Sequence, residues 1–369
     1  MLEVKKIKRK FDIPSTMKAV ITSGNGGYDK LEYKSVPVPI LSSDEVLLKV
    51  LAAGINNTDI NTRLGWYSSS VTSSTDAFIG EQEKNGDFKP DGGWKKATPF
   101  PMIQGTDCCG LVVDIGKTKR HDLLGSRVLV RACMRPKGFT AMEKIWMASD
   151  FDGAFAEYVK VLSSEVFPIN CNWSDAELAT IPCAYATSEN MLERSDCNEK
   201  DHVLVMGSSG GVGSATIQLA KRRGCKVTAV TSFLKMKKVK TIGADNVIDS
   251  SVDLAKIIGE NKVSLVVDNV AGEKFPQMLK ILRPGGKYVS SGAIAGPIVS
   301  LDMRDMYLKD ITLIGSTAWD EPVFPNIISY IENSEIRPLL EKTFPLDQIT
   351  QAQKEFIKKE HIGNFVLIP

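Results

Sequence analysis

The apolar positions of this chain follow two different rhythms. From Met17 to about Val166 they come in short alternating runs, such as Glu45-Val-Leu-Leu-Lys-Val50, Gly110-Leu-Val-Val-Asp114 and Arg127-Val-Leu-Val130, set apart by Gly, Pro, Asn and Asp. Period-two alternation punctuated by turn formers predicts strands with one buried face. After about Trp173 the runs become compact and alternate with helical segments. Val203–Met206, Lys226–Thr231, Asn246–Ile248, Leu265–Asp268, Lys287–Ser290 and Thr312–Ile314 predict strands. Helices are expected between them, for example over Leu234–Ile242 before Gly243 and over Phe275–Leu282 before Pro284. This grammar predicts a doubly wound parallel sheet with right-handed crossovers. At the C-terminal end, helices over Pro325–Glu332 and Ile349–Lys359 lead to a strand, Asn364–Ile368, expected to return to the first domain.

A polar stretch from Ser68 to Phe100, Ser-rich and then Gly- and Lys-rich, interrupts the β-rich part. A segment of that length reads as a mobile surface excursion or as a lid over a pocket. The organisation expected is an N-terminal extension over 1–16, a β-rich domain over 17–170 with an insertion at 68–100, a domain of alternating strands and helices over 171–320, and a return to the first domain over 321–369.

Chemistry enters at Gly207-Ser-Ser-Gly210-Gly-Val-Gly213. An apolar run, His202-Val-Leu-Val-Met206, precedes it, and a helix former, Ser214-Ala-Thr-Ile-Gln-Leu-Ala-Lys-Arg-Arg223, follows and stops at Gly224. Strand, glycine turn and helix is the context of a dinucleotide-binding turn. The glycines let the backbone approach a pyrophosphate, and the helix N-terminus offers free N–H donors. Ser208 stands where a strict G-x-G-x-x-G would place its first glycine. The bland alternative is an ordinary tight βα turn. The candidate cofactor contacts here are Gly207, Ser209, Gly210, Gly211, Val212 and Gly213.

Bulk properties narrow the classes. The length of 369 residues suits two domains. Basic and acidic residues number 46 and 44, which gives no support for nucleic acid as a main partner. No apolar run approaches the ~20 residues of a membrane helix. Met1–Lys10 is basic without an apolar core, unlike a secretory signal. Seven cysteines at 108, 109, 133, 171, 183, 197 and 225 form no C-x-x-C pair, which fits a reducing, cytoplasmic setting rather than a disulfide framework.

Several further landmarks fall in a fixed order: Met17-Lys-Ala-Val20, Gly54-Ile-Asn-Asn-Thr-Asp59, Gln104-Gly-Thr-Asp107, Asp152-Gly-Ala-Phe-Ala-Glu-Tyr158, Gly243-Ala-Asp-Asn-Val-Ile248, Leu282-Arg-Pro-Gly-Gly286 and Phe344-Pro-Leu346. Together with the glycine turn they resemble the medium-chain dehydrogenase/reductase superfamily over nearly the whole chain. The nearest flavour is the zinc-independent quinone oxidoreductase and zeta-crystallin-like group. The resemblance implies an α/β fold, with a GroES-like β-rich catalytic domain plus a Rossmann doubly wound parallel-sheet cofactor domain. It also implies an active site in the cleft between them and a homodimer or homotetramer.

Departures from the zinc-dependent branch bear on mechanism. Asn56 stands where that branch has a Cys ligand, and Thr106-Asp107 where it has His-Glu. Cys183 falls near its third ligand position but lacks thiolate or imidazole company. No metal is expected, and Cys183 reads as a small buried hydrophobe, with a reactive thiol as the alternative. Strand Lys226–Thr231 runs into Ser232 and Lys235 rather than into Asp or Glu, which favours a 2′-phosphate and therefore NADPH. The resemblance adds Thr187, Ser291, Gly292 and Ala293 as contacts toward the nicotinamide end. The family's C-terminal Gly-Lys appears here as Gly363-Asn364, so Asn364 stands in the cofactor set with a positive charge lost.

Without a Lewis acid, the natural hydride acceptor is one that delocalises charge, a quinone or the β-carbon of an enal or enone. Asn56 and Tyr67 match positions facing the nicotinamide pocket. Each could donate to a developing oxyanion, and Tyr67 could supply a proton. A turn residue and a packing aromatic are their plain alternatives. The function expected is an NADPH-dependent, zinc-independent reductase of quinones or α,β-unsaturated carbonyls. Two rivals stand beside it, an alcohol or carbonyl dehydrogenase of the same superfamily and a non-catalytic, crystallin-like NADPH-binding protein that could bind RNA.

Overall fold

The computed structural model describes residues 11–85, 91–94 and 96–369. Most of the expected N-terminal extension and a short part of the 68–100 insertion therefore lie outside the described residues. In the first part of the chain the elements are β1 (Thr16–Thr22), β2 (Leu31–Pro37), β3 (Glu45–Ile55), α1 (Asn57–Leu64), α2 (Thr75–Asn85), β4 (Met102–Ile103), β5 (Cys109–Ile115), β6 (Arg127–Val130), β7 (Cys133–Met134), β8 (Ile145–Trp146), β9 (Tyr158–Leu162), β10 (Val166–Pro168) and α3 (Asp175–Leu178). They form a three-stranded sheet ordered β2-β1-β4, a two-stranded ribbon of β7 and β8, and most of a seven-stranded sheet.

The alternation read from the sequence is visible in the pairing. β3 pairs antiparallel with β5 and β9, and its apolar residues Val46, Leu48, Val50, Ala52 and Ala53 are buried. Gly54, near its end, is required by packing. A Cβ there would lie 2.4 Å from the Ala179 carbonyl oxygen and 2.6 Å from the Asp107 carboxylate. The 135–142 turn is organised by Arg135. Its fully buried guanidinium donates to the carbonyls of Phe139, Ala141 and Trp319.

The second part runs α4 (Pro182–Arg194), β11 (His202–Val205), α5 (Gly211–Arg222), β12 (Lys226–Thr231), α6 (Met236–Lys240), β13 (Asn246–Asp249), α7 (Leu254–Ile258), β14 (Val263–Val267), α8 (Phe275–Ile281), β15 (Leu282–Ser290), α9 (Met303–Tyr307), β16 (Thr312–Gly315), α10 (Val323–Glu332), β17 (Leu340–Pro345), α11 (Ile349–Ile357) and β18 (Asn364–Ile368). Six of these strands form one parallel sheet ordered β13-β12-β11-β14-β15-β16, the order of a dinucleotide-binding sheet. β14, Val-Ser-Leu-Val-Val, is buried at every position because helices cover both faces. β18 pairs antiparallel with β3 and parallel with β17, so the end of the chain closes the sheet of the first part.

Two expectations need correction. The insertion is not loop alone. It carries α2, and Val71 and Phe78 are buried in the core of the β-rich part. Apolar residues scattered among Ser and Gly escape a periodicity reading but still find a groove. The helix expected over Leu234–Ile242 is shorter, a 3₁₀ turn over Phe233–Lys235 followed by α6. Only Val239 of α6 is buried, so its lysine-rich sequence has no apolar stripe with which to extend.

Candidate active site

The glycine turn leaves β11 and enters α5. Gly207 has φ +60°, a left-handed conformation that disfavours a side chain. A Cβ on Gly213 would lie 2.4 Å from the Gly207 carbonyl oxygen, so only glycine lets the first turn of α5 sit on the loop. Ser208, the departure from the strict motif, turns inward. Its hydroxyl and its N–H both donate to the Val230 carbonyl, at 2.9 and 3.0 Å, which ties the turn to β12. The chain end is clasped to the same turn. The Gly363 N–H donates to the Ser209 carbonyl at 3.0 Å, and a Cβ on Gly211 would lie 2.4 Å from the Asn364 Oδ1.

On one side of this turn lies a cavity of about 570 Å³ bounded by Gly207, Ser209, Ser232, Lys235, Ser250 and Lys359, with Lys274 and Glu273 across from them. The Lys235 ammonium donates to the Ser209 hydroxyl at 3.4 Å and to the Lys359 carbonyl. Partial burial lowers the Lys235 pKa. Lys359 is pushed down to about 8 by burial and by Lys235, with Asp76 opposing.

On the other side a pocket of about 430 Å³ opens between the two parts of the chain. Its floor is the loop after β15. There the Asn269 side-chain oxygen accepts the Ser291 N–H at 2.7 Å, and the Asn269 carbonyl accepts the Ile294 N–H at 3.2 Å. Thr187, Gly211, Val212, Ser291, Gly292, Ala293 and Asn364 face this pocket. Its far wall is Asn56, Asn57, Asn61, Trp66, Tyr67, Trp94 and Trp146. The rings form a continuous edge-to-face series, Trp66–Tyr67 at 5.4 Å, Tyr67–Trp94 at 5.6 Å and Trp94–Trp146 at 4.7 Å. The insertion supplies part of the wall. A Cβ on Gly92 would lie 2.2 Å from the Gly65 backbone, which seats Trp94 beside Tyr67. The Thr75 N–H at the start of α2 donates to the Ile294 carbonyl at 3.0 Å. The described part of the insertion thus packs as a wall of the pocket.

Beneath the pocket, Asn56 precedes α1 and its backbone N–H donates to Asp59 at 2.8 Å. Its amide donates to Asp107 Oδ2 at 2.7 Å, and Asp107 Oδ1 accepts the Cys183 N–H at 2.6 Å. Burial raises Asp59 and Asp107 to about 7, even though hydrogen bonds to both pull the other way. Burial also raises the thiol of Cys183 and the phenol of Tyr67, so both hold their protons at neutral pH. Tyr67 Oη lies 3.4 Å from Thr58 Oγ1.

The positions where zinc-dependent relatives place ligands hold an amide, a hydroxyl, a carboxylate and a protonated thiol. The carboxylate already binds two N–H donors. Among the described residues no group of three or more His, Cys, Asp or Glu could hold a metal ion. These residues do not fit a catalytic zinc. They do fit a dinucleotide, since the glycine turn lies between two cavities, one basic and one aromatic.

Of the residues singled out from sequence, Asn56, Tyr67, Thr187, Gly211, Val212, Ser291, Gly292, Ala293 and Asn364 meet in the junction pocket. Gly207, Ser209, Ser232 and Lys235 meet in the second cavity. Gly210 and Gly213 line neither and serve the turn itself. Lys359, Asn57, Trp94, Trp146 and Asn269 were not legible. Only Gly92-Gly93-Trp94, a glycine pair before an aromatic, hinted at close docking.

Comparison with known proteins agrees with this geometry. The alcohol dehydrogenase GroES-like domain model matches residues 42–171, and the zinc-binding dehydrogenase model matches residues 211–333. A solved structure of a putative alcohol dehydrogenase from Sinorhizobium meliloti is 38% identical, covers 97% of this chain and 98% of its own, and superposes with a TM-score of 0.86. An NADPH-dependent alkenal/one oxidoreductase of Arabidopsis thaliana is 28% identical over 97% of this chain and 81% of its own length. A quinone oxidoreductase of Mus musculus is 26% identical over 92% of this chain and 94% of its own. The ordered landmarks, the two sheets, the glycine turn at the start of α5, and these matches have one explanation: the chain belongs to the medium-chain dehydrogenase/reductase superfamily.

Proposed function

We propose that this chain is an NADPH-dependent, zinc-independent oxidoreductase that reduces a quinone or an α,β-unsaturated carbonyl. One observation carries the reading. The floor built by Ser291–Ile294 faces, across a pocket of about 430 Å³, a wall of aromatic rings and amides with no metal-ligand set. The relatives named for alkenal and quinone reduction support it.

Bound across the glycine turn, NADPH would supply a hydride at the junction pocket. Gly207–Gly213 would carry its pyrophosphate, Ser232 and Lys235 its adenosine ribose phosphate, and Thr187 with Ser291–Ala293 its carboxamide end. The chain's own work is to orient a flat acceptor and stabilise negative charge on its oxygen. The rings of Tyr67 and Trp94 exclude water and stack the acceptor. Asn56 is held by Asp107 through one amide N–H and keeps the other for an oxyanion. The Tyr67 hydroxyl, protonated by burial, donates to the same oxygen or delivers its proton.

The proposed setting is cytoplasmic, consistent with seven free thiols, and the proposed assembly a homodimer or homotetramer paired through the nucleotide sheet. Strand β16 supports this by leaving Leu313 exposed at the sheet edge. Light scattering tests the assembly. The function is tested by following NADPH oxidation by chelator-treated protein with quinones, enals and enones, with metal content measured on the same sample. Turnover that needs added zinc, or none with any conjugated acceptor, would overturn it.

A further inference from the structure

The structure brings a lysine of the return segment to the cofactor cleft. Lys359 follows α11 in a left-handed conformation, φ +54°, which turns it from the end of that helix back toward the nucleotide sheet. It lines the same cavity as Ser209, Ser232 and Lys235. Its ammonium donates to Asn57 Oδ1, and Asn57 lines the neighbouring junction pocket. Lys359 therefore spans the seam where the two cavities meet beside the glycine turn.

Its surroundings are poor for a cation. Lys235 from the turn after β12 repels it, and Asp76 from the first turn of α2 is the carboxylate that opposes this. His361, two residues on, is held down to about 4 by burial, Lys359 and Lys235, so it adds no charge at neutral pH. Glu341 and Glu360 act on Lys235. Lys235, Lys274 and Lys359 line one cavity with Glu273 as the carboxylate among its lining residues, and the Lys359 ammonium bonds a neutral amide, so the site is short of negative charge. A phosphate supplies two negative charges and acceptor oxygens.

We infer that Lys359 is a second phosphate-binding cation of the cofactor site, supplied by the return segment beside Lys235. This rests on the proposed dinucleotide reading. The phosphate is either the 2′-phosphate of NADPH or the pyrophosphate common to NADPH and NADH, and the two sources separate experimentally. Phosphate binding also favours the charged amine, so the site takes up a proton when the cofactor binds in mildly alkaline solution.

The test is calorimetric titration of the full chain and of Lys359→Met with NADPH and, separately, NADH. Each is run at pH 8 in two buffers of different ionisation enthalpy. The variant loses roughly tenfold or more in affinity, the loss of a charge-assisted hydrogen bond. Loss for NADPH alone assigns the 2′-phosphate, and equal loss for both assigns the pyrophosphate. The parent takes up about half a proton per cofactor and the variant none. Unchanged or raised thermal stability of Lys359→Met shows that the loss is not unfolding. Affinity within twofold of the parent for both cofactors, with parent binding intact, overturns the inference alone. A parent that binds neither cofactor overturns the dinucleotide reading and this inference with it.

Discussion

Helices α4 and α5 both line the junction pocket, through Thr187 and through Gly211 and Val212, and one buried ion pair ties them together. Glu189 on α4 is fully buried and receives both arms of the Arg223 guanidinium, at 2.9 and 2.8 Å, together with the Tyr330 hydroxyl at 2.9 Å. Glu193, one turn on, meets the same guanidinium at 2.8 Å, but its side chain is 41% exposed. The perturbation is Glu189→Gln against Glu193→Gln. An amide cannot accept both arms, so Glu189→Gln leaves an arginine that is 11% exposed with its charge largely uncompensated. Breaking a buried pair on one side costs about 3–5 kcal/mol, and the surviving Glu193 contact holds the figure to about 3 kcal/mol. Glu193→Gln removes a solvated contact worth less than about 1 kcal/mol. Urea unfolding of both variants at neutral pH, with equal slopes, reads the difference directly. Because Ser188 Oγ donates to the Val212 carbonyl at 2.9 Å, the loosened pair also weakens cofactor binding. Equal destabilisation by the two variants would refute the argument that burial, not pairing, sets the magnitude.

Gly213→Ala places a Cβ against the Gly207 carbonyl, a backbone atom that cannot turn aside. Overpacking of this kind costs about 1–3 kcal/mol, so NADPH affinity measured by fluorescence falls at least several-fold while Ala at Gly80, where a Cβ would meet open space, leaves it unchanged. Tyr67→Phe should lower kcat with little change in KM for a good conjugated acceptor; an unchanged kcat removes Tyr67 from proton delivery and leaves it as a stacking ring. Lys359 titrates near 8 in the native chain and near 10.5 when unfolded. The unfolded state binds more protons across that window, so native stability rises with pH there and carries the full cost below 8. Lys359→Met is therefore more stable than the parent by about 3 kcal/mol at pH 7, an advantage that should largely vanish by pH 10.5 in chemical unfolding; a pH-independent difference contradicts it. Cys197 and Cys225 have sulfurs 3.5 Å apart. Peroxide should join them, releasing two waters and lowering the mass by two hydrogens, whereas Cys197→Ser prevents it; a parent that gains oxygen without cross-linking counts against the pair.

Whatever depends on local order along the chain was legible in the sequence. Hydrophobic rhythm separated strands with one buried face from strands buried on both, and all six strands of the parallel sheet lie where compact apolar runs fall. The glycine turn was readable because close approach and positive φ exclude side chains, and that exclusion is written as glycine. Ser208 looked like a defect only because a sequence does not show which way a side chain turns; bonded to Val230, it is part of the turn.

What the tertiary structure decided is which distant residues share a space. Trp94 reaches the pocket because two glycines let a polar insertion lie on the end of α1, and no periodic pattern records that docking. Lys359 sits in a run of lysines and glutamate that reads as a solvated helix end, yet one left-handed residue returns it to the cofactor cleft. Asp107 holds Asn56 and the start of α4 together across 51 and 76 residues of chain. Local propensity follows from neighbours in sequence. Charge, burial and hydrogen bonding at this site follow from neighbours in space, which only the closed fold specifies.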